Sequence, residues 1–259
     1  MGNIISPMAY VHPDAKMGKG NVIGPFCYID EDTVIGDNNR LYNSVTLHKG
    51  LRMGNNNEIF PGASLSTKPQ DLKFKGEKTT CQIGDNNSIR ENVTISRGTA
   101  SKATTIVGNN NLLMEGVHIA HDCVFGSNLI LGNHAKFAGE VECDDNAIVS
   151  GVVLCHQFCR IGGYVMIQGG TRFSLDIPPF CTAGKEPVVF AGLNIIGLRR
   201  HGFTAERIEA IRDAYRIIYE EGVIKETVKM AREKYPDNKD VDYICTFIEQ
   251  SPRGIIRPR

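Results

Sequence analysis

The chain has 259 residues and a mass of 28.5 kDa, enough to form a core without disulfide or metal support. It carries 29 basic and 29 acidic residues, which argues against nucleic-acid binding that depends on bulk positive charge. The longest apolar stretch, residues 188–198, is too short to span a bilayer, and no secretory signal pattern stands at the start. We therefore expect a cytoplasmic protein without a transmembrane segment.

The dominant pattern is an apolar residue at every sixth position. From residue 5 to residue 167, 25 of the 28 positions in this register are apolar, and only Asp71, Glu77 and Ser101 break it. A small residue usually stands four positions after the apolar one. This hexapeptide repeat predicts short strands, three to a turn, that stack about 4.8 Å apart into a triangular parallel β-helix. With about 18 residues per coil, residues 18 apart should be vertical neighbours in about nine coils.

The repeat is interrupted twice without losing its phase, near residues 66–80 and 99–105. We expect loops extruded from the coil there, and such loops usually lie on the functional surface of a solenoid. Six of the eight cysteines occupy inward positions of the repeat, whereas Cys181 and Cys245 have no cluster of ligands around them. We therefore expect neither a zinc site nor a disulfide framework.

The repeat ends after Pro178 and Pro179, and helical periodicity follows. Thr204 is typical of a helix start, and further helices are predicted over residues 225–234 and about 241–250. We predict an all-β parallel β-helix domain over residues 1–188, followed by a helical C-terminal domain over residues 189–259.

The segment 118–122, His-Ile-Ala-His-Asp, is the densest histidine group. Such a group is most often a solvated surface patch, but the coil spacing favours a site. One coil above His121 lies Gly139, and one coil further lies Gln157, beside His156. An imidazole next to a glycine N–H supplies the base and the oxyanion donor that acyl transfer to a hydroxyl requires. Asp122 can pair with His121 only if the chain bends, since neighbours on a straight strand face opposite sides.

Several segments, taken in order, carry a resemblance that covers nearly the whole chain. They are residues 70–73 (Gln-Asp-Leu-Lys), 89–95 (Ile-Arg-Glu-Asn-Val-Thr-Ile), 111–114 (Asn-Leu-Leu-Met), 118–123 (His-Ile-Ala-His-Asp-Cys), 156–159 (His-Gln-Phe-Cys), 176–179 (Asp-Ile-Pro-Pro) and 194–200 (Asn-Ile-Ile-Gly-Leu-Arg-Arg). This series resembles the UDP-N-acetylglucosamine O-acyltransferases of lipid A synthesis. The resemblance implies that the β-helix is left-handed, which periodicity alone does not establish.

The resemblance also implies a reaction and residue roles. A 3-hydroxyacyl group would pass from acyl carrier protein to the glucosamine 3-hydroxyl of UDP-N-acetylglucosamine, without a cofactor or metal. His121, supported by Asp122, would be the general base, and the Gly139 amide would stabilise the oxyanion. The sugar and nucleotide contacts would come from Gln70, Asp71, Lys73, His118, His156, Gln157, Asn194 and Arg200.

Four positions depart from the commoner pattern of that family, namely Ser96, Glu140, Ile196 and His201. None of them replaces the base. Ser96 and Glu140 leave open whether the acceptor is a 3-hydroxyl or a 3-amino sugar. Ile196 and His201 lie where nucleotide contacts are expected.

In the resembled family, a residue after a Met-x-x-Gly segment closes the acyl groove. Here Met166 begins such a segment, and Gly169 stands at that place. Because glycine has no side chain to block a long chain, we predict a preference for acyl groups of about fourteen carbons or more.

The resemblance further implies a homotrimer with clefts between its subunits. Arginines of the C-terminal part form a candidate docking surface for the acidic acyl carrier protein, namely Arg199, Arg200, Arg253, Arg257 and Arg259.

Three alternatives remain open at this point. A β-helix of this kind also occurs in γ-class carbonic anhydrases, where histidines hold zinc at a subunit interface. It also occurs in coenzyme A-dependent hexapeptide acetyltransferases. A purely structural or ice-binding solenoid would show regular threonine ladders on an outer face, and the sequence has none.

Overall fold

The sixfold spacing of apolar residues produces a parallel β-helix capped by four helices. The computed structural model describes residues 2–220 and 222–259. Its coil has three faces, each a stack of very short strands, and from residue 4 to residue 184 consecutive strands along the chain belong to different faces. The three faces are called sheets A, B and C. Sheet B contains nine strands, one per coil, which agrees with the predicted number of coils.

Sheet A contains β1 (Ile4–Ile5), β4 (Val22–Ile23), β7 (Arg40–Leu41), β10 (Glu58–Ile59), β13 (Ser88–Ile89), β16 (Leu112–Leu113), β19 (Ile130–Leu131), β22 (Ile148–Val149), β25 (Met166–Ile167), β27 (Cys181–Gly184) and β28 (Val189–Leu193). Sheet B contains β2 (Tyr10–Val11), β5 (Tyr28–Ile29), β8 (Thr46–Leu47), β11 (Ser64–Thr67), β14 (Thr94–Ser96), β17 (His118–Ile119), β20 (Lys136–Phe137), β23 (Leu154–Cys155) and β26 (Arg172–Phe173). Sheet C contains β3 (Lys16–Met17), β6 (Val34–Ile35), β9 (Leu51–Met53), β12 (Thr80–Ile83), β15 (Thr104–Val107), β18 (Val124–Phe125), β21 (Glu142–Cys143) and β24 (Arg160–Ile161).

The second residue of most strands points into the prism and forms its core. Ile29, Leu47 and Ile59, for example, have no exposed surface, and the small residue four positions after an inward apolar residue, such as Val45 after Leu41, is equally buried. Ile5 is 42% exposed because the first coil has no coil beneath it. All eight cysteines are free and buried.

The corners of the coil are held by asparagines in two ways. Asn38, Asn56 and Asn86 adopt positive φ angles of 56° to 58°, a region that asparagine tolerates better than most residues. The next residue of each coil points inward and forms a ladder, in which the side chain of Asn57 donates to Asn39 at 3.0 Å and accepts from Asn87. Each buried amide is thereby satisfied by its vertical neighbours.

The two interruptions of the repeat are loops that leave the coil and return to the same register. Vertical partners are normally 18 residues apart, but Glu58 pairs with Ser88, 30 residues away, and Ser88 pairs with Leu112, 24 residues away. The first extruded loop comprises residues 68–79, and the second extruded loop comprises residues 97–103. Both loops leave the end of a sheet B strand and return as a sheet C strand, so they emerge at the same edge of the prism.

The C-terminal part packs on the last coils. Strand β28 pairs antiparallel with β27 within the first residues of the segment 189–259, before the helices begin. The helices are α1 (Ile195–Arg200), α2 (Ala205–Ile218), α3 (Ile224–Lys234) and α4 (Lys239–Glu249). Their apolar faces form a second core, and the Tyr243 hydroxyl joins α4 to the coil by donating to Asp144 and accepting from the Gly163 N–H.

Candidate active site

His121 and Asp122 follow strand β17 and lie at a corner of the coil. Asp122 has a φ of +61°, so the chain turns sharply at this residue. As a result both side chains lie on the same side, and Nδ1 of His121 is 2.8 Å from Oδ2 of Asp122. The bend that this pairing needs is therefore present.

The Asp122 carboxylate is completely buried and fully hydrogen-bonded. Its Oδ1 accepts from the backbone N–H groups of Thr99 and Lys102, and its Oδ2 accepts from the Thr99 hydroxyl and from His121. Burial by itself raises the pKa of Asp122, but the hydrogen bonds from Thr99 and His121 outweigh it, so the pKa lies below its ordinary value. The carboxylate is thus ionised at neutral pH, and because it can only accept, the His121 proton sits on Nδ1 and leaves Nε2 free.

Gly139 lies one coil above His121, in direct contact with its ring. A Cβ atom placed on Gly139 would be 2.6 Å from Cε1 and 2.7 Å from Nε2 of His121. The coil stacking is direct, since the Glu140 N–H donates to the His121 carbonyl and the Phe158 N–H donates to the Gly139 carbonyl. Among residues 2–220 and 222–259, the Gly139 N–H has no hydrogen-bond acceptor. A free donor therefore lies beside a free imidazole nitrogen.

The corner and the two extruded loops enclose a cavity of about 270 Å³. It is lined by Asp71, Lys73, Phe74, Glu77, Thr99, Ala100, Ser101, His121, Glu140, Gln157 and Phe158. Four of the side chains that we predicted for the site, Asp71, Lys73, His121 and Gln157, therefore meet at one place. The cavity combines an imidazole with charged groups of both signs, and Gly139 lies next to that imidazole, which suits acid–base chemistry on a polar substrate.

Comparison with known proteins places this geometry in a family. The chain is 42% identical to the acyl-[acyl-carrier-protein]–UDP-N-acetylglucosamine O-acyltransferase of Myxococcus xanthus over 255 residues, which cover 98% of this chain and 99% of that protein. The chain belongs to the UDP-N-acetylglucosamine O-acyltransferase family. The family model for its second domain, described as "Udp N-acetylglucosamine O-acyltransferase; Domain 2", matches residues 176–256.

Solved structures of this family share the whole architecture. The UDP-N-acetylglucosamine acyltransferase of Bacteroides fragilis is 58% identical, with a TM-score of 0.96 over 98% of this chain and all of that chain. The Acinetobacter baumannii relative is 38% identical, also with a TM-score of 0.96, over 98% of this chain and all of that chain. These matches confirm the predicted left-handed β-helix with a C-terminal helical region, and they do not favour a carbonic anhydrase or an acetyltransferase.

Two predicted histidines lie outside the cavity in the single chain. Nδ1 of His118 is 2.7 Å from the Thr94 hydroxyl on the outer face of sheet B. Burial is the main cause that lowers the pKa of His118, and the nearby Lys136 adds to it. His156 lines a different cavity, of about 580 Å³, together with Arg172, Phe173 and Leu175.

The remaining predicted sugar and nucleotide residues are also outside the cavity. Asn194 is the N-cap of α1, where its side chain accepts from the Gly197 N–H and donates to the Tyr164 carbonyl at 3.0 Å. Arg200, at the end of the same helix, and Gln70, on the first extruded loop, are exposed. One chain therefore does not assemble all the residues that we predicted for the site.

The residues at which this chain departs from the common family pattern have separate surroundings. Glu140 lines the cavity beside His121. Ser96 is buried, with its hydroxyl 3.1 Å from that of Thr67. Ile196 is 67% exposed, and His201 packs edge-on against Tyr164.

An apolar stripe on the outside of sheet A is a feature that the sequence analysis missed. Leu112, Ile130, Ile148 and Met166 are vertical neighbours in successive coils, and all four are at least partly exposed. Each of them occupies the outward position just before a core residue. Apolar residues at that position in successive coils would have predicted the stripe from the sequence. Gly169 lies near the top of this stripe and is exposed, and a Cβ atom there would be 3.3 Å from the Gly151 carbonyl oxygen.

Within the described part of the chain, no helix is long and apolar enough to cross a bilayer.

Proposed function

We propose that this protein transfers a 3-hydroxyacyl group from acyl carrier protein to the glucosamine 3-hydroxyl of UDP-N-acetylglucosamine, the first step of lipid A synthesis. The observation that supports this proposal is the corner where the His121 ring, which lines the cavity between the loops, contacts Gly139, whose N–H has no acceptor in the described part of the chain. The acyl donor and acceptor are those in the name of the Myxococcus relative.

The chemistry follows from the geometry of the pair. Nε2 of His121 removes the proton of the sugar hydroxyl as its oxygen attacks the thioester carbonyl carbon. The negative charge that develops on the carbonyl oxygen accepts a hydrogen bond from the Gly139 N–H, and Asp122 stabilises the imidazolium. Collapse of the tetrahedral intermediate breaks the carbon–sulfur bond, and the imidazolium returns its proton to the thiolate. Asp71 and Lys73, on the facing loop, hold the sugar.

We also propose a homotrimer whose substrate clefts lie between subunits. His156, Asn194 and Arg200 do not line the His121 cavity within one chain, and a neighbouring subunit would bring such residues to the cavity of its partner. The exposed apolar stripe of sheet A would then face the neighbour and receive the acyl chain, with Gly169 leaving its end open. Sedimentation equilibrium should give about three times 28.5 kDa, and a monomer of full activity would contradict this arrangement.

The acyl donor suggests in which compartment the enzyme works and which of its surfaces binds acyl carrier protein. Acyl carrier protein is acidic, and Arg199 and Arg200 are exposed on the C-terminal part. We propose that this part, residues 189–259, receives the carrier protein, and that the reaction takes place in the cytoplasm, where eight buried free cysteines remain reduced.

The decisive experiment uses the purified protein, UDP-N-acetylglucosamine and a panel of 3-hydroxyacyl carrier protein thioesters. Mass spectrometry of the product should show one added acyl group on the sugar. The His121→Ala variant should lose at least about 100-fold in kcat, as expected when a general base is removed. The 3-amino analogue of the acceptor, tested in parallel, determines which acceptor is preferred, and near-wild-type turnover by His121→Ala would refute the mechanism.

A further inference from the structure

Thr99, on the second extruded loop, contacts the carboxylate that orients the base. Its hydroxyl donates to Oδ2 of Asp122 at 2.6 Å, and its backbone N–H donates to Oδ1 at 2.9 Å. The residue is 6% exposed, and it lies in the wall of the His121 cavity. Thr99 therefore donates to both carboxylate oxygens, to one through its side chain and to the other through its backbone.

The direction of the Thr99 hydroxyl proton is also fixed. The backbone N–H of Ser101 donates to the Thr99 oxygen at 3.2 Å, so the hydroxyl is an acceptor on one side and must donate on the other. On the donating side stands Oδ2 of Asp122, the same oxygen that accepts from Nδ1 of His121 at 2.8 Å. Two donors thus share one oxygen, and the rotation of the carboxylate determines both contacts.

The second extruded loop is held in place independently of Thr99. The Lys102 N–H donates to Asp122, and the Lys102 ammonium pairs at 2.9 Å with Glu142, which lies two coils above. Glu142 in turn lies 3.5 Å from Arg160, whose guanidinium stacks over the ring of Phe247 in α4. The loop backbone therefore has anchors that survive a change of the Thr99 side chain.

From these contacts we infer that Thr99 is a positioning residue for the base. Its hydroxyl holds the Asp122 carboxylate in the rotation that keeps the His121 proton on Nδ1 and Nε2 free for the substrate. This inference rests on the proposed role of His121. Without the hydroxyl, Oδ2 loses one of its two donors, and the carboxylate and the imidazole can rotate away from the geometry that proton transfer requires.

The test removes the Thr99 hydroxyl while keeping the shape of the side chain. Thr99→Val should lower kcat by about 10- to 100-fold, a cost typical of a misplaced catalytic group. Thr99→Ser restores the donor and should recover most of the activity. Thr79→Val is the matched control, because Thr79 is similarly buried but its hydroxyl has no partner in the described part of the chain. It should keep wild-type kcat.

A spectroscopic measurement separates positioning from a loss of folded protein. Nitrogen NMR of histidine-labelled enzyme at neutral pH reports which ring nitrogen carries the proton, and His121→Ala identifies the resonances. Wild type and Thr99→Ser should show the proton on Nδ1 of His121, whereas Thr99→Val should show a mixture of both tautomers. The charged and titratable groups around the pair are unchanged in these variants, namely His118, Lys136, Asp71, Lys73, Glu77, Lys102, Glu140 and Glu142.

The outcomes distinguish this inference from the proposed function. If His121→Ala has the turnover of the wild type, the proposed function is refuted. If His121→Ala is inactive but Thr99→Val has wild-type kcat and an unmixed Nδ1 tautomer, only the role of Thr99 is refuted. If Thr99→Val melts well below wild type, Thr99→Ala is measured in its place, with the same expected loss and the same tautomer mixture.

Discussion

The imidazole of His121 occupies the space where a side chain at position 139 would begin. A Cβ atom on Gly139 would lie 2.6 Å from Cε1 of His121, closer than such atoms approach in folded proteins. Glycine at this position is therefore required by the placement of the His121 ring, the proposed base. Any larger residue displaces the ring from the column of stacked corners.

Gly139→Ala should abolish most of the activity while leaving the β-helix intact. The added methyl group pushes His121 away from the proposed oxyanion donor, so we expect kcat/KM to fall by about 100-fold or more. Steady-state kinetics with the acyl carrier protein thioester gives the loss, and circular dichroism monitors the fold. Activity within threefold of wild type would show that the ring does not depend on this contact.

The ionised Asp122 should make the stability of the protein depend on pH. Because the pKa of Asp122 is lower in the folded protein than in the unfolded chain, its contribution is present above about pH 4 and is lost as the pH falls through the folded pKa. Asp122→Asn removes this contribution and leaves the N–H donors of Thr99 and Lys102 facing a neutral amide. We expect the variant to be about 1–3 kcal/mol less stable at pH 7.

Urea unfolding of wild type and Asp122→Asn at pH 7 and at pH 3 checks this expectation. The difference in unfolding free energy between the two proteins should shrink on acidification. A difference that stays constant over this range would mean that the Asp122 carboxylate is not stabilised in the folded state.

Replacement of Thr79 should make the protein more stable. Its hydroxyl is buried and has no hydrogen-bond partner among the described residues, so it loses hydration on folding without compensation. Replacement by the isosteric valine should raise the free energy of unfolding by about 1 kcal/mol. Chemical denaturation measures the change, and a destabilised Thr79→Val would show that the hydroxyl does make a favourable contact.

The size of the residue at position 169 should determine how long an acyl chain the protein accepts. It is exposed near Met166 at the end of the apolar stripe, so a long side chain there would project over the groove. Gly169→Met should shift the preference in a competition assay toward chains several methylenes shorter, since each buried methylene contributes about 0.8 kcal/mol. Unchanged product distributions would place the end of the groove elsewhere.

The sequence by itself determined the coil and its vertical neighbours. An inward position in a narrow prism accepts only apolar or small residues, so the sixfold repeat shows directly which residues point inward. Because one coil takes 18 residues, the sequence also predicts that Gly139 lies above His121 and Gln157 above Gly139. The extruded loops were visible as breaks in the same repeat. The apolar stripe was also readable from apolar residues at outward positions, such as Ile130 and Ile148.

Only the tertiary structure decided how the corner residues face one another. The positive φ of Asp122 falls at the same position of the repeat as those of Asn38 and Asn56, but the apolar pattern does not show that the Asp122 carboxylate turns toward His121 at this corner. The contacts of Thr99 depend on the path of a loop that leaves the repeat, where no register applies. Periodicity fixes positions along the solenoid, whereas hydrogen bonds made across it fix the directions of the side chains.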